Sequence, residues 1–282
     1  MPCTDTVALN LWYAVSALED VGPVPFDTVL MEEAVAIWRD AKGALHARSN
    51  GHDLPVLDRY GYLWTSLGTP PADLFPIPEY AEGDRRRVHA ATVGVQTSAP
   101  RAVENFLDMG HFPYVHTDIL GAEPHTEVKE YFVEVSQERD EILATNCLFW
   151  QPMAAAASSG GADVEYIYRV PHPYCSVLYK SSPGYAGRLD VIAVFLQPES
   201  QERVRAHMML CLLDETTSDR DIRLFQQTIF GQDKPILENQ FPKRLPLDPR
   251  AETPIRADKS AIAYRRWLSE KGITYGVIPL AA

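Results

Sequence analysis

Apolar residues recur along most of this chain in short, alternating bursts, the spacing of strands rather than helices. In Val204-Arg205-Ala206-His207-Met208-Met209-Leu210, the side chains of Val204, Ala206, Met208 and Leu210 share one face. Residues 88–97, 127–138, 143–151, 164–170, 176–181, 188–197 and 203–214 all read as strands. Few helix-length crossovers separate them, so the predicted sheet is antiparallel. Two stretches break the alternation. Residues 100–119 have helical spacing, with Ala102, Phe106 and Met109 near one face. Residues 219–240 read as a longer helix, with Ser218 or Asp219 as N-cap ahead of Ile222, Phe225 and Ile229. A last helix over 258–271 stops at Gly272. The pattern predicts an α+β fold, a helix-grip antiparallel sheet around a long C-terminal helix, with a cavity between them.

The first 80 residues follow a different rhythm, short strands separated by turn residues. Val35-Ala36-Ile37-Trp38-Arg39 runs into the turn signal Asp40-Ala41-Lys42-Gly43, and residues 60–68 read as a strand ending at Gly68. The proline-rich run 69–79 lacks ladder donors and is expected to link two units. A boundary near residue 82 divides the chain into an all-β unit, 1–82, and a larger unit, 83–282. The small-residue patch 154–161 reads as a surface loop, and no internal repeat is present.

Net charge narrows the function classes. At −12 the chain repels a phosphate backbone. Its one basic run, Arg85-Arg86-Arg87, is too short for a nucleic-acid footprint and reads as a solvated linker. No stretch approaches the ~18 consecutive apolar residues of a membrane span. The opening Met1-Pro2-Cys3-Thr4-Asp5 lacks a basic-then-apolar pattern, so no signal peptide is expected. The four cysteines, Cys3, Cys147, Cys175 and Cys211, form no C-x-x-C pair. A disulfide framework and a Cys-based zinc site are therefore not expected, and a reducing cytoplasm is.

Candidate chemistry is concentrated in residues 104–116, Glu-Asn-Phe-Leu-Asp-Met-Gly-His-Phe-Pro-Tyr-Val-His. His111 and His116 alone are a weak signal, because five helical steps put two rings ~140° apart. Both can face one metal only if the helix bends or ends between them, and Pro113 is the residue expected to do so. The blander possibility is two partly buried histidines at a helix end. Asp108, three residues before His111, is placed to hydrogen-bond a ring N–H and fix its tautomer.

This segment resembles the iron-binding motif of the Rieske non-heme iron oxygenases, in the demethylase branch. The resemblance implies that His111 and His116 are two iron ligands. Asp108 corresponds to the acid linking an iron ligand to the electron donor's Rieske histidine, and Asn105 to a position close to the iron. Residues 230–240, Phe-Gly-Gln-Asp-Lys-Pro-Ile-Leu-Glu-Asn-Gln, are similar to the family's downstream segment and make Asp233 the third ligand. Two imidazoles and one carboxylate suit mononuclear Fe(2+), with zinc as the competing metal. Otherwise Asp233 is a helix-start carboxylate held by the dipole. Glu238, Asp221 and Glu215 are the alternative carboxylates.

The family resemblance extends upstream, where residues 9–15, 35–40, 60–68 and 76–79 are similar to the edges of a Rieske domain. Between them the family carries the cysteine and histidine loops of a [2Fe–2S] centre. Here residues 45–59 contain His46 and His52 and no cysteine. The 1–82 unit is thus expected to be a reduced, Rieske-like all-β domain unable to hold a [2Fe–2S] cluster. Electrons must then come from a partner, a Rieske-bearing NAD(P)H-dependent reductase docking near Asp108. The resemblance further implies a monooxygenase that hydroxylates an N-methyl group of a small aromatic substrate, taking 7-methylxanthine to xanthine plus formaldehyde. It also implies a glutathione S-transferase-like structural subunit. Leu237, Gln240 and Asn105, with Phe149, Trp150 and Tyr168 for stacking, are the candidate pocket residues. An O-demethylase, a ring hydroxylase and a non-catalytic ligand-binding or scaffold module are the alternatives.

Overall fold

The computed structural model describes residues 3–158, 160–182 and 184–280. Met1 and Pro2 of the N-terminal reading, and Ser159 of the small-residue patch, lie outside the described residues. After a short helix α1 (Thr6–Leu9) come strands β1 (Tyr13–Ala17), β2 (Phe26–Leu30), β3 (Glu33–Arg39), β4 (Leu45–Ser49), β5 (His52–Asp53), β6 (Val56–Arg59) and β7 (Tyr62–Thr65). They form two antiparallel sheets, ordered β1-β7-β6 and β2-β3-β4-β5. Next come β8 (Arg86–Val95), helices α2 (Ala99–Leu107) and α3 (Phe112–Val115), and strands β9 (Phe132–Ser136), β10 (Glu141–Gln151), β11 (Ala162–His172), β12 (Cys175–Ser181), β13 (Leu189–Ser200) and β14 (Arg203–Leu212). The chain closes with α4 (Asp219–Asn239), β15 (Leu245–Pro246), α5 (Lys259–Glu270) and β16 (Val277–Ile278).

A seven-stranded antiparallel sheet, ordered β8-β14-β13-β12-β11-β10-β9, is the frame. Its central strands β12, β13 and β14 are buried on both faces, and their period of two sorts side chains into two cores. Val204, Ala206, Met208 and Leu210 of β14 face the helices, as the alternation predicts. Met209 and Cys211 point to the other side, where Tyr62 and Trp64 of β7 pack against Phe195 and Trp12, just before β1, joins the same core.

Helix α4 covers the front face. Ser218 caps it by accepting from the Asp221 amide, and Ile222, Gln226, Phe230, Asp233 and Leu237 form its buried stripe. A neighbouring stripe bonds to open carbonyls of the edge strand β8. Arg223 donates to His89 O at 2.9 Å, Gln227 to Ala90 O at 2.8 Å and Lys234 to Gly94 O at 2.7 Å. The helix therefore protects a sheet edge as well as a core face. Helix α5 ends at Gly272, whose φ is +73°.

Two expectations need correction. The helix predicted over 100–119 is two helices, α2 and α3, with a break at residues 108–111. Pro113 starts the second rather than bending the first. The break comes from Asp108, whose Oδ1 accepts from Gly110 N at 2.7 Å, a local turn that competes with helix continuation. The arginine run is no solvated linker. Arg85 is buried and donates to Leu189 O at 2.7 Å, Arg86 donates to Asp214 O at 3.1 Å, and Arg87 donates to Tyr80 O at 2.7 Å. Among the described residues no helix is long and apolar enough to cross a membrane.

Candidate metal centre

Helix α3 is one turn long, and His111 and His116 are its two flanking residues. His111 keeps helical dihedrals, but His116, at φ −110° and ψ 40°, has left them, and that departure relieves the angular problem of a five-residue spacing. Across from them Asp233 projects from the buried stripe of α4. The three donor atoms converge: His111 Nε2 lies 3.1 Å from His116 Nε2, and Asp233 Oδ1 lies 3.3 and 3.2 Å from those two nitrogens. Ligands at ~2.1 Å from one metal are ~3.0 Å apart when mutually perpendicular and ~3.4 Å apart when tetrahedral. The observed separations fall inside that window.

The surrounding bonds orient both rings inward. His111 Nδ1 pairs with Asp108 Oδ2 at 3.1 Å, and His116 Nδ1 pairs with Gln232 Oε1 at 2.8 Å. A carboxylate and an amide oxygen only accept, so both Nδ1 atoms carry the proton and both Nε2 atoms direct a lone pair at the common point. Asp233 Oδ1 is buried there without a hydrogen bond of acceptable geometry. Three facing acceptors repel one another unless a proton or a metal cation sits among them. The proton affinity reflects this. Burial opposes charge on His111, but the hydrogen bond to Asp108 and the close carboxylates of Asp108 and Asp233 outweigh it and raise its pKa to about 9. Burial likewise opposes charge on Asp233, and the two histidines outweigh it and hold its carboxyl down at about 2. The donor set therefore fits one divalent cation.

Asp108 was expected on a shared helix face with His111. It is instead the residue that ends α2, and the pairing survives because the chain turns back there. Its side chain is 35% exposed, so it joins the buried ring to the surface. Asp233 is deep within α4 rather than at a helix start, which removes the dipole reading. The alternative carboxylates are elsewhere: Glu238 pairs with Lys234, Asp221 with Ser218, and Glu215 lies on the cavity wall outside the three-residue cluster.

A cavity of about 250 Å³ opens beside the centre, lined by Asn105, Tyr168 and Leu237 among the expected residues. Phe149, Trp150 and Gln240 do not line it. Phe149 packs on Phe112 at 5.4 Å between ring centres, and Trp150, on the opposite strand face, lies on His125 at 4.5 Å. Gln240 follows the last turn of α4 as its C-cap.

Two contributors were not singled out in the sequence. Gln232 orients His116 and is adjacent to Asp233, where no metal-ligand pattern marks an amide. Gly121 lies so close under α3 that an added Cβ would meet Pro113 N at 2.7 Å, and its signal was a glycine in the loop after the histidine pair. Deeper support comes from a buried ion cluster. Arg265 donates to Glu104 at 2.6 and 2.9 Å, and Arg101 reaches Glu252 at 2.6 Å. These contacts fix α2, and with it Asn105 and Asp108.

Comparison with known proteins places the chain in a family. The family described as "Vanillate O-demethylase oxygenase C-terminal domain" matches residues 95–272, more than half of the chain. A curated protein of Pseudomonas sp. (strain TJI-51), named "Probable methylxanthine N7-demethylase NdmC", is 47% identical over 280 residues, covering 98% of this chain and 99% of that protein. Among solved structures, Pseudomonas putida CBB5 NdmA with caffeine superposes with a TM-score of 0.77 at 18% identity, covering 94% of this chain and 92% of that one. Dicamba monooxygenase bound to 3,6-dichlorosalicylic acid gives 0.75 at 16% identity, covering 95% and 98%. The structural likenesses establish the fold, and the sequence matches establish the lineage: the chain belongs to the Rieske non-heme iron oxygenases, among the demethylase oxygenases.

Proposed function

We propose that this chain is the mononuclear-iron component of an N-demethylase that hydroxylates the N7-methyl group of a small xanthine. The supporting observation is the convergence of His111, His116 and Asp233 within 3.3 Å of one another beside a largely apolar cavity. These three would hold Fe(2+), which would supply oxygen activation beside the cavity. The spacing alone suits zinc as well, and the choice of iron rests on the family. Asn105 is on the cavity wall beside the centre, where its amide can position the substrate. Asp108 bridges His111 to the surface and serves as the route for incoming electrons.

The stoichiometry dictates a partner. Converting N–CH3 to N–CH2OH with O2 consumes two electrons and two protons and releases one water; the carbinolamine then breaks its C–N bond to give formaldehyde and N–H. This chain has no cysteine in residues 45–59, and His46 there is stacked on Trp38 and paired with Asp40. A [2Fe–2S] cluster with two thiolates therefore has no ligands in this region. We assign the electrons to a separate, Rieske-bearing, NAD(P)H-dependent reductase that docks near Asp108. Residues 1–82 are read as a reduced Rieske-like unit retained for packing against the back of the large sheet, and residues 83–282 as the catalytic unit. A glutathione S-transferase-like structural subunit belongs to the same reading of the assembly.

The N7 position is favoured by the 47% identical relative, whose name specifies it. The test is a turnover assay with the Fe(2+)-loaded chain, a Rieske-bearing reductase and NADH. Release of formaldehyde and xanthine from 7-methylxanthine is expected. Coupled NADH oxidation with no formaldehyde from any methylxanthine would remove the N-demethylase reading.

A further inference from the structure

The large sheet contributes a buried cation to the cavity wall. Lys180 of β12 is 6% exposed and lines the cavity, with Tyr166 of β11 as its register partner on one side and Asp190 of β13 on the other. Taking an ammonium out of water is costly unless its protons are met, and it has three. One goes to the Ala154 carbonyl, its one hydrogen bond among the described residues. The Tyr166 ring, centred 5.6 Å away, offers a π face and no lone pair. Asp190 turns to the Leu213 amide, accepting at 2.7 Å, and makes no ion pair with Lys180 among the described residues. Burial pulls the Lys180 pKa down to about 8 against the attraction of Asp190, so the side chain is still a charged donor at neutral pH.

Two unmet protons call for an acceptor that enters the cavity. A further full anion is disfavoured, because Asp190, Asp214 and Glu215 already line the same space. A neutral carbonyl oxygen suits it better. Position selects which carbonyl. The Phe112 ring is 5.1 Å from that of His111, the Tyr166 ring is 6.2 Å from that of Phe112, and the ammonium is on the Tyr166 ring in turn. Lys180 is thus two rings removed from the histidines. A xanthine with its 7-methyl at the metal end has its C6 oxygen beside that methyl and its C2 oxygen at the far edge. The C2 oxygen is the one that matches Lys180.

We propose that Lys180 is a specificity-determining residue that donates a hydrogen bond from its ammonium to the C2 carbonyl oxygen of the substrate. This rests on the N-demethylase reading and deepens it: the substrates are N-methylated heteroaromatic rings with a carbonyl at the edge remote from the reacting methyl. A lysine that only pinned the loop at Ala154 to the sheet would treat all such rings alike.

The test is calorimetric binding to the Fe(2+)-loaded chain without O2, independent of turnover. It compares 7-methylxanthine with its 2-thio and 6-thio analogues, because sulfur is a weaker acceptor than oxygen at the same place. Wild type is expected to bind the 2-thio analogue about tenfold more weakly than 7-methylxanthine. Lys180→Met, close in size and with no proton to donate, should weaken 7-methylxanthine on the order of tenfold and bring the 2-thio ratio to about one. The 6-thio ratio should stay as in wild type. If the variant weakens all three ligands equally and keeps every ratio, Lys180 acts only through the loop, and its role falls while the N-demethylase reading stands. Wild type that binds the 2-thio analogue as tightly as 7-methylxanthine would overturn the role without recourse to the variant. Wild type that binds none of the three would overturn the pocket reading and this inference together.

Discussion

The chain buries two histidine clusters, and they behave in opposite ways. On the back of the large sheet, Tyr62 OH meets His89 Nδ1 at 2.7 Å, Thr92 Oγ1 meets His207 Nδ1 at 2.9 Å, and His207 Nε2 meets Gln197 Oε1 at 3.0 Å. Gln197 passes the chain on to Thr28 at 2.7 Å and Val29 O at 2.6 Å. The partners of His207 are neutral, both its ring nitrogens are used, and burial drives its pKa down to about 3. In the centre at α3 two carboxylates, Asp108 and Asp233, flank the rings, the Nε2 atoms face one another, Asp233 Oδ1 is orphaned, and His111 is raised to about 9. A satisfied network of neutral groups holds a fold together. An unsatisfied one with converging acceptors is a place for a cation.

The contrast can be broken in order of expected effect. Asp233→Ala removes one of three acceptors and should abolish iron retention, read as metal content after desalting, while the folded circular dichroism spectrum persists. Gln232→Leu leaves all three ligands but frees the His116 ring, and should weaken iron binding on the order of 10- to 100-fold in a chelator competition. His207→Leu cuts the satisfied network instead. It should lower unfolding free energy by about 1–3 kcal/mol in urea and leave iron content unchanged.

That variant also tests the acid response. His207 has a folded pKa of about 3, below its unfolded value, so between those values the unfolded chain binds more protons. Stability is full above ~6.5 and falls as pH drops toward 3. His172, pushed to about 3 by burial, acts in the same direction. His207→Leu should therefore flatten part of this slope, and an unchanged slope would contradict a neutral buried imidazole. The smallest effect belongs to Glu238→Gln. Its partner Lys234 is partly exposed, so stability should shift by less than ~0.5 kcal/mol and iron content not at all.

What the sequence conveyed and what it withheld have physical explanations. Strand alternation in 203–212 and the capped helix from Asp219 were legible because both depend on local periodicity. The two histidines and Asp233 were legible through a family motif. The break before His111 was not legible because a proline is the stronger helix-breaking signal, whereas the turn is made by Asp108-Met109-Gly110, an acid two residues before a glycine. Gln232 was invisible because a glutamine on a helix ordinarily faces water, and only the packing of α4 turns it inward. Arg85, Arg86 and Arg87 misled because a charge run implies solvent, while here three guanidinium groups find backbone carbonyls on neighbouring segments. Phe149 and Trp150 illustrate the same limit: aromatic type was readable, but which strand face met the cavity was not.

The most direct test is an anomalous-difference map at the iron absorption edge from crystals of the Fe(2+)-loaded chain. The account predicts one peak at bonding distance, ~2.1 Å, from His111 Nε2, His116 Nε2 and a carboxylate oxygen of Asp233 together. A peak bound elsewhere, or none between these three side chains in iron-replete crystals, would contradict it.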